Sequence, residues 1–262
     1  RYQGDLSAPD YQLTNTGMRE RSYSGALRFH KGHFDLTGYY SHIDQELGVL
    51  RGSVVGSMED LGTAMSAEIP ENTADFSYSI NTPRQQTQHD LAKLAGVYNF
   101  HDSQLSFTYG LQRNSRQEYD IRRGANNERP SINLELMTHS LDLTWTHDVF
   151  HGWMGSVGAQ WMYQDNNNIA GTNTTPFIPN YNLNRIGVFV NESKQIGELT
   201  YEIGLRYDHQ AMDIRGRDAS TSLFYNSINY HSLSGIAGIK WQISPKSTFR
   251  TNVATAWRPP SI

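Results

Sequence analysis

The sequence predicts an all-β fold, an antiparallel β-barrel that crosses a membrane. Three observations carry this expectation. Short segments alternate strictly between apolar and polar residues, so their two faces meet two different solvents. The connections between them are short and long by turns, the pattern of tight turns on one side of a membrane and large loops on the other. Tyrosine and tryptophan collect at the segment ends, where a bilayer has its interfaces. The segments number about ten and run about nine to twelve residues, the length a tilted strand needs to cross.

Each segment has its own pattern. Residues 23–31 and 34–42 form an opening hairpin, and 91–100 carries apolar residues on both parities, which leaves its faces unassigned. Leu105, Phe107, Tyr109 and Leu111 alternate with Ser106, Thr108, Gly110 and Gln112, and Leu141, Leu143 and Trp145 with Asp142, Thr144 and Thr146. Residues 153–163 and 185–192 follow less cleanly. The clearest strand has Leu199, Tyr201, Ile203, Leu205 and Tyr207 on one face and Thr200, Glu202, Gly204 and Arg206 on the other. Residues 233–243 repeat it, and 249–257 place Phe249 and Val253 opposite Arg250 and Asn252. Short turns are expected near 31–33, 101–104, 147–152, 195–198 and 244–247, and long loops over 43–88, 113–135, 165–184 and 209–230. Trp145, Trp153, Trp241 and Phe249 flank short turns, whereas Tyr40, Tyr109, Tyr163, Tyr207 and Trp257 lie toward the long loops. Two aromatic girdles result.

Composition narrows the function classes. Lys+Arg 22 against Asp+Glu 26 gives no basic surface for nucleic acid. Cysteine is absent, so no disulfide framework is used. Mean hydropathy is −0.61, and no apolar run approaches the roughly 18 residues of a membrane helix. A barrel tolerates such a composition because only every second residue must be apolar. No basic-then-apolar leader is read at the start, so export is an expectation from the barrel pattern.

Several short motifs then acquire meaning. Gly204-Leu205-Arg206-Tyr207-Asp208-His209 and Thr255-Ala256-Trp257-Arg258-Pro259-Pro260-Ser261-Ile262 resemble barrel segments of TonB-dependent outer-membrane receptors. Asn15-Thr16-Gly17, Pro83-Arg84-Gln85 with His89, Glu118-Tyr119-Asp120-Ile121-Arg122-Arg123-Gly124 and Pro176-Phe177-Ile178-Pro179-Asn180-Tyr181 resemble the iron-complex, siderophore or haem-type branch. The resemblance implies a Gram-negative outer-membrane location, a 22-stranded barrel closed by a plug, and import driven by the TonB-ExbB-ExbD complex. About ten strands are half of such a barrel, and half a barrel would leave open edges in lipid. Residues 1–262 are therefore expected to be one partial barrel domain of a longer chain. A complete ten-stranded barrel is the alternative.

Two sets of site residues follow. Asp142, Glu202, Arg206, Asp208, Lys240, Arg250 and Arg258 fall on inward parities, where they would contact a plug or line the wet gap around it. Arg113, Arg116, Arg122, Arg123 and Arg129 gather in one expected loop beside Tyr119. With Arg84 and Tyr181 they suit an anionic ligand, because guanidinium forks match carboxylates and phosphates bidentately. Ordinary loop solvation, or contact with lipid and lipopolysaccharide, is the competing reading. The ten histidines split between the two ends and make no single metal site. Adjacent pairs such as His101-Asp102 point to opposite faces, so no catalytic dyad, resident metal or cofactor is expected. The function that the resemblance implies is active import of a scarce large solute, an iron-siderophore or haem complex, without bond chemistry. Alternatives are a passive porin-like channel, or a receptor for a glycan, peptide, cobalamin or other metal complex. A surface lipoprotein is a further conceivable partner.

Overall fold

A computed structural model describes residues 1–50, 57–70, 72–121, 128–218 and 220–260. Ten strands form a continuous antiparallel meander: β4 (Met18–Lys31), β5 (Phe34–Gly48), β6 (Arg84–Asn99), β7 (Ser103–Tyr119), β8 (Ile132–Phe150), β9 (Trp153–Asn168), β10 (Asn180–Ile196), β11 (Leu199–Arg217), β12 (Leu223–Ser244) and β13 (Ser247–Ala254). A two-residue strand, β1 (Tyr2–Gln3), pairs with the long-loop end of β4 and makes the sheet 11-stranded. A two-stranded ladder, β2 (Leu6–Ser7) with β3 (Gln12–Leu13), lies beside it. One exposed helix, α1 (Met58–Ser66), interrupts the first long loop and is capped by Ser57, whose side chain accepts from Asp60 N. Among the described residues β1 and β13 share no ladder, so the sheet is open.

The ten expected strands are present, and so are the five short turns. Nine of the strands are longer than expected, 14 to 19 residues from β4 to β11 and 22 in β12, while β13 is shorter at 8. The expected long loops shrink accordingly to 49–83, 120–131, 169–179 and 218–222. Thus Arg84, Arg113, Arg116, Tyr119 and Tyr181 lie on strands, not in loops. The shortest of these loops is closed by Asp218, whose Oδ1 accepts from Ser220 Oγ at 2.6 Å and from the backbone N–H groups of Ser220 and Ser222. The Ser220 hydroxyl first, then the Ser222 N–H, hold this carboxyl below its ordinary range.

Parity decides the faces. On β11 the even residues Gly204, Asp208, Gln210, Met212 and Ile214 are buried, while Ile203, Leu205 and Tyr207 are exposed. Side chains converge on a concave face and splay on a convex one, so the even residues face the lumen. Following the ladders outward, the convex face carries Leu27, Phe29, Leu36, Leu94, Phe107, Leu143, Val157, Val188, Ile203 and Ile239. Their exposure is the lipid contact of a barrel. Trp145, Trp153, Trp241 and Phe249 edge this band at the short turns, and Tyr40, Tyr109, Tyr163 and Tyr207 edge it at the far side. Trp257 departs from the expected girdle: β13 ends at Ala254, and the Trp257 ring lies 6.4 Å from Tyr230. From Leu199 to Tyr207 the band spans eight residue steps, roughly 27 Å along the strand.

The ladder rows run obliquely to this band. Phe34, at its lower edge on β5, leads through seven strand neighbours to Gly235 on β12, six residues short of the edge residue Trp241. With about 3.3 Å per residue and about 4.8 Å between strands, that slope is roughly 30°. Strands of outer-membrane barrels tilt by a similar amount.

Residues 1–17 are pinned to 72–83 near the long-loop end, and Asn15 is the clamp. It is buried, adopts φ 59°, and donates from Nδ2 to Val49 O at 2.8 Å and Pro83 O at 2.7 Å. Its Oδ1 accepts from Asn81 N at 2.7 Å. Asparagine tolerates the left-handed region that most residues avoid. Asn15→Ala removes all three bonds and strands buried backbone groups, at about 1–3 kcal/mol each. The expected result is faster proteolysis within 49–83 with the strands intact, read by limited digestion.

Candidate functional site

The charges of the concave face are held by the fold. Arg206 and Asp208 sit two residues apart on β11 and hence on one face. Their contact is bidentate, Arg206 Nε to Asp208 Oδ2 and Nη2 to Oδ1, both at 2.7 Å. Gly187 on β10 lies opposite Asp208, and a Cβ there would collide with both side chains. Gly187→Val should therefore push the pair apart, and because only side-chain ends must move the cost is the weakened ion pair, under about 1 kcal/mol, measurable as a slightly lowered unfolding midpoint in detergent. Glu202 reaches across Gly238 of β12 to Arg250 on β13, accepting from Nη2 at 2.9 and 2.7 Å. Asp142 accepts from Gln160 at 2.8 Å. The inward set of Asp142, Glu202, Arg206, Asp208 and Arg250 thus lies on one wall, four of its ions in two pairs and Asp142 held by the Gln160 amide.

Nearer the long loops, the wall changes character. Beyond Tyr207, the inward residues of β11 become Gln210, Met212 and Ile214, while Asp213 and Arg215 turn outward. The parity holds but the polarity inverts, because outside the band the convex face meets water instead of lipid. Leu183, Met212 and Ile214 form a buried cluster, with Met162, Tyr181 and Ile228 packed against it. Beside them Arg185 donates from Nε and Nη2 to Gln210 Oε1 at 2.9 and 2.5 Å, and Gln210 is 1% exposed. A cavity of about 420 Å³ opens in the loop 169–178 above β8 and β9. A larger one, about 650 Å³, is lined by Tyr181, Leu183, Arg185, Met212, Phe177 and Arg258. It is the inner mouth: an apolar ledge rimmed by two arginines and a phenol.

The predicted ligand residues are dispersed. Tyr181 and Arg258 meet at the mouth. Arg84 and Tyr119 meet on the convex side, with the guanidinium 4.1 Å above the ring. There Arg84 Nη2 donates to Glu128 at 2.8 Å, and Nε stands 3.5 Å from Glu46 Oε1, an ion pair too long for a hydrogen bond. Arg116 points inward and pairs with Glu118. Arg122 and Arg123 lie outside the described residues. Leu183, Arg185, Gln210, Met212 and Ile214 were missed by reasoning from sequence. Their signal was the inverted alternation Met212-Asp213-Ile214-Arg215, concealed inside a stretch expected to be loop. Among the described residues no group of three or more His, Asp or Glu side chains is placed to hold a metal.

Comparison with known proteins points one way. Residues 57–262 match the model of the family described as TonB dependent receptor-like, beta-barrel. No curated protein sequence matches the chain. Among solved structures, the ferric-catecholate import receptor Fiu from E. coli K12 superposes with a TM-score of 0.66 at 11% identity, over 97% of this chain and 44% of its own. The siderophore receptor PiuA from Acinetobacter baumannii gives 0.65 at 12% identity, covering 92% and 42%. The FrpB iron transporter from Neisseria meningitidis gives 0.64 at 13%, covering 99% and 40%. The chain thus spans 40–44% of the length of these three receptors.

Proposed function

Because the chain belongs to the TonB-dependent receptor β-barrel family, we propose that it is the wall segment through which an outer-membrane receptor imports a large anionic metal complex. An iron-siderophore or haem complex fits best. Barrels of this family lie in the Gram-negative outer membrane, so the long-loop end faces the cell exterior and the short turns face the periplasm. The observation that carries the reading is the inner mouth, where an apolar ledge of Phe177 and Tyr181, over a buried floor of Leu183 and Met212, adjoins Arg185 and Arg258. The ledge accepts the apolar body of a ligand, and the guanidinium groups accept its acidic edge.

Import then needs force, supplied by the receptor's own plug and the TonB-ExbB-ExbD complex. The inward pairs Arg206–Asp208 and Glu202–Arg250 neutralise four of the charges on the wall. A plug that binds such a wall does so by exchangeable polar contacts, and it can move without leaving naked ions behind. The wall makes and breaks no covalent bond. Planar-bilayer recording of the receptor tests the closed state this requires. A plugged receptor stays non-conducting at rest, whereas steady single-channel conductance would replace this reading with a passive pore.

A further inference from the structure

We propose that the convex face of β4–β7, just outside the aromatic edge of the lipid band, is a docking shelf for the sugar portion of an outer-leaflet glycolipid. Two ladder rows build it. Arg19, Glu46, Gln86 and Gln117 stand in one row across the four strands, and Arg21, Asp44, Gln88 and Ser115 in the next row toward the membrane. Together they line a shallow cavity of about 540 Å³.

The outer row is internally bonded. Glu46 accepts from Arg19 at 3.3 Å and from Gln86 at 3.1 Å, and Tyr119 donates to Gln86 at 3.3 Å and Gln117 at 2.9 Å. Tyr119 itself is buried beneath Arg84, so this row is a rigid back wall. The inner row is different. Among the described residues, the side chains of Arg21, Asp44, Gln88 and Ser115 have no hydrogen-bond or ion-pair partner. Four strands about 4.8 Å apart spread these groups over roughly 14 Å. They present a guanidinium, a carboxylate, an amide and a hydroxyl in a line, donors and acceptors mixed.

Position and charge select the occupant. The row below is Tyr23, His42, Asp90 and Arg113, and its Tyr23 ring marks the membrane interface. The shelf therefore sits where lipid head groups stand, not where a solute approaches the lumen. Arg21 is offset by Asp44 and Arg19 by Glu46, so the shelf carries no excess cation to hold phosphate. A line of neutral and self-compensated polar groups above an aromatic ring matches sugar hydroxyls, which both donate and accept.

The test uses the purified full-length receptor and its Asp44→Ala/Gln88→Ala variant, one half-buried and one exposed position, both on the convex face outside the import path. Native mass spectrometry would follow retention of three probes: lipopolysaccharide with its core sugars, lipid A alone, and inorganic phosphate. The expected result is at least tenfold weaker retention of the core-bearing lipid by the variant, with lipid A retained equally by both and phosphate without effect. Equal retention of the core-bearing lipid overturns the proposal. So does an equal loss of lipid A, which would assign the shelf to acyl or phosphate contacts, or competition by phosphate. A heat-resistant gel mobility shared by both proteins confirms that the variant is folded.

Discussion

Replacing Ile203 with arginine is expected to lower the stability of the barrel by about 2–4 kcal/mol. Ile203 is half exposed on the convex face, midway between Leu199 at one edge of the lipid band and Tyr207 at the other. At that depth a guanidinium has no water to reach without deforming the bilayer. Urea unfolding of the receptor in phospholipid vesicles would measure it. Thr144→Arg on the concave face is the control, since an inward arginine stays wet and should shift stability by less than about 1 kcal/mol. Equal effects at both positions would mean that the two faces had been exchanged.

The second large effect concerns the ligand. Arg185→Ala with Arg258→Ala should weaken binding of an anionic iron complex by roughly 10–100-fold, since hydrogen bonds to charged groups contribute about 1.5–3 kcal/mol. Quenching of intrinsic fluorescence by ferric-siderophore or haem titration would read it. Removing Arg185 also orphans Gln210, which is buried, so Arg185→Lys separates charge from fold. A compact ammonium keeps the charge but cannot form the two bonds that the guanidinium makes to Gln210 Oε1. The lysine variant should recover part of the affinity. An affinity unchanged in the double variant would move the ligand away from this mouth.

Alternation was legible wherever one face meets lipid and the other water. Leu199 to Tyr207 has no apolar residue on the inward parity, and its strand, its faces and its inward ions Glu202 and Arg206 follow from that alone. The limit lay at the membrane edge. Past Tyr207 the convex face is wetted, so Asp213 and Arg215 turn outward and Met212 and Ile214 inward, and the pattern changes sign within one strand. A reading that expects apolar residues outside takes this change for the end of the strand. That is why 209–230 was expected as loop, although only 218–222 connects β11 to β12. The ambiguity of 91–100 has a related origin: Leu94 and Tyr98 face outward while Leu91 and Val97 face the lumen. Ligand residues suffered most. Arg84, Arg116 and Tyr119 are close in the expected loops, but strand pairing sends Arg84 and Tyr119 outward and Arg116 inward.

Energy coupling is the claim on which the rest depends, and uptake measures it most directly. Cells expressing the full-length receptor would be given a radiolabelled ferric siderophore or haem complex, with and without a protonophore, and in a strain lacking TonB. The labelled complex should still bind the cell surface in all three conditions, but accumulate only when TonB and the proton-motive force are both present. Equal accumulation in all three would contradict it and make the barrel a passive pore.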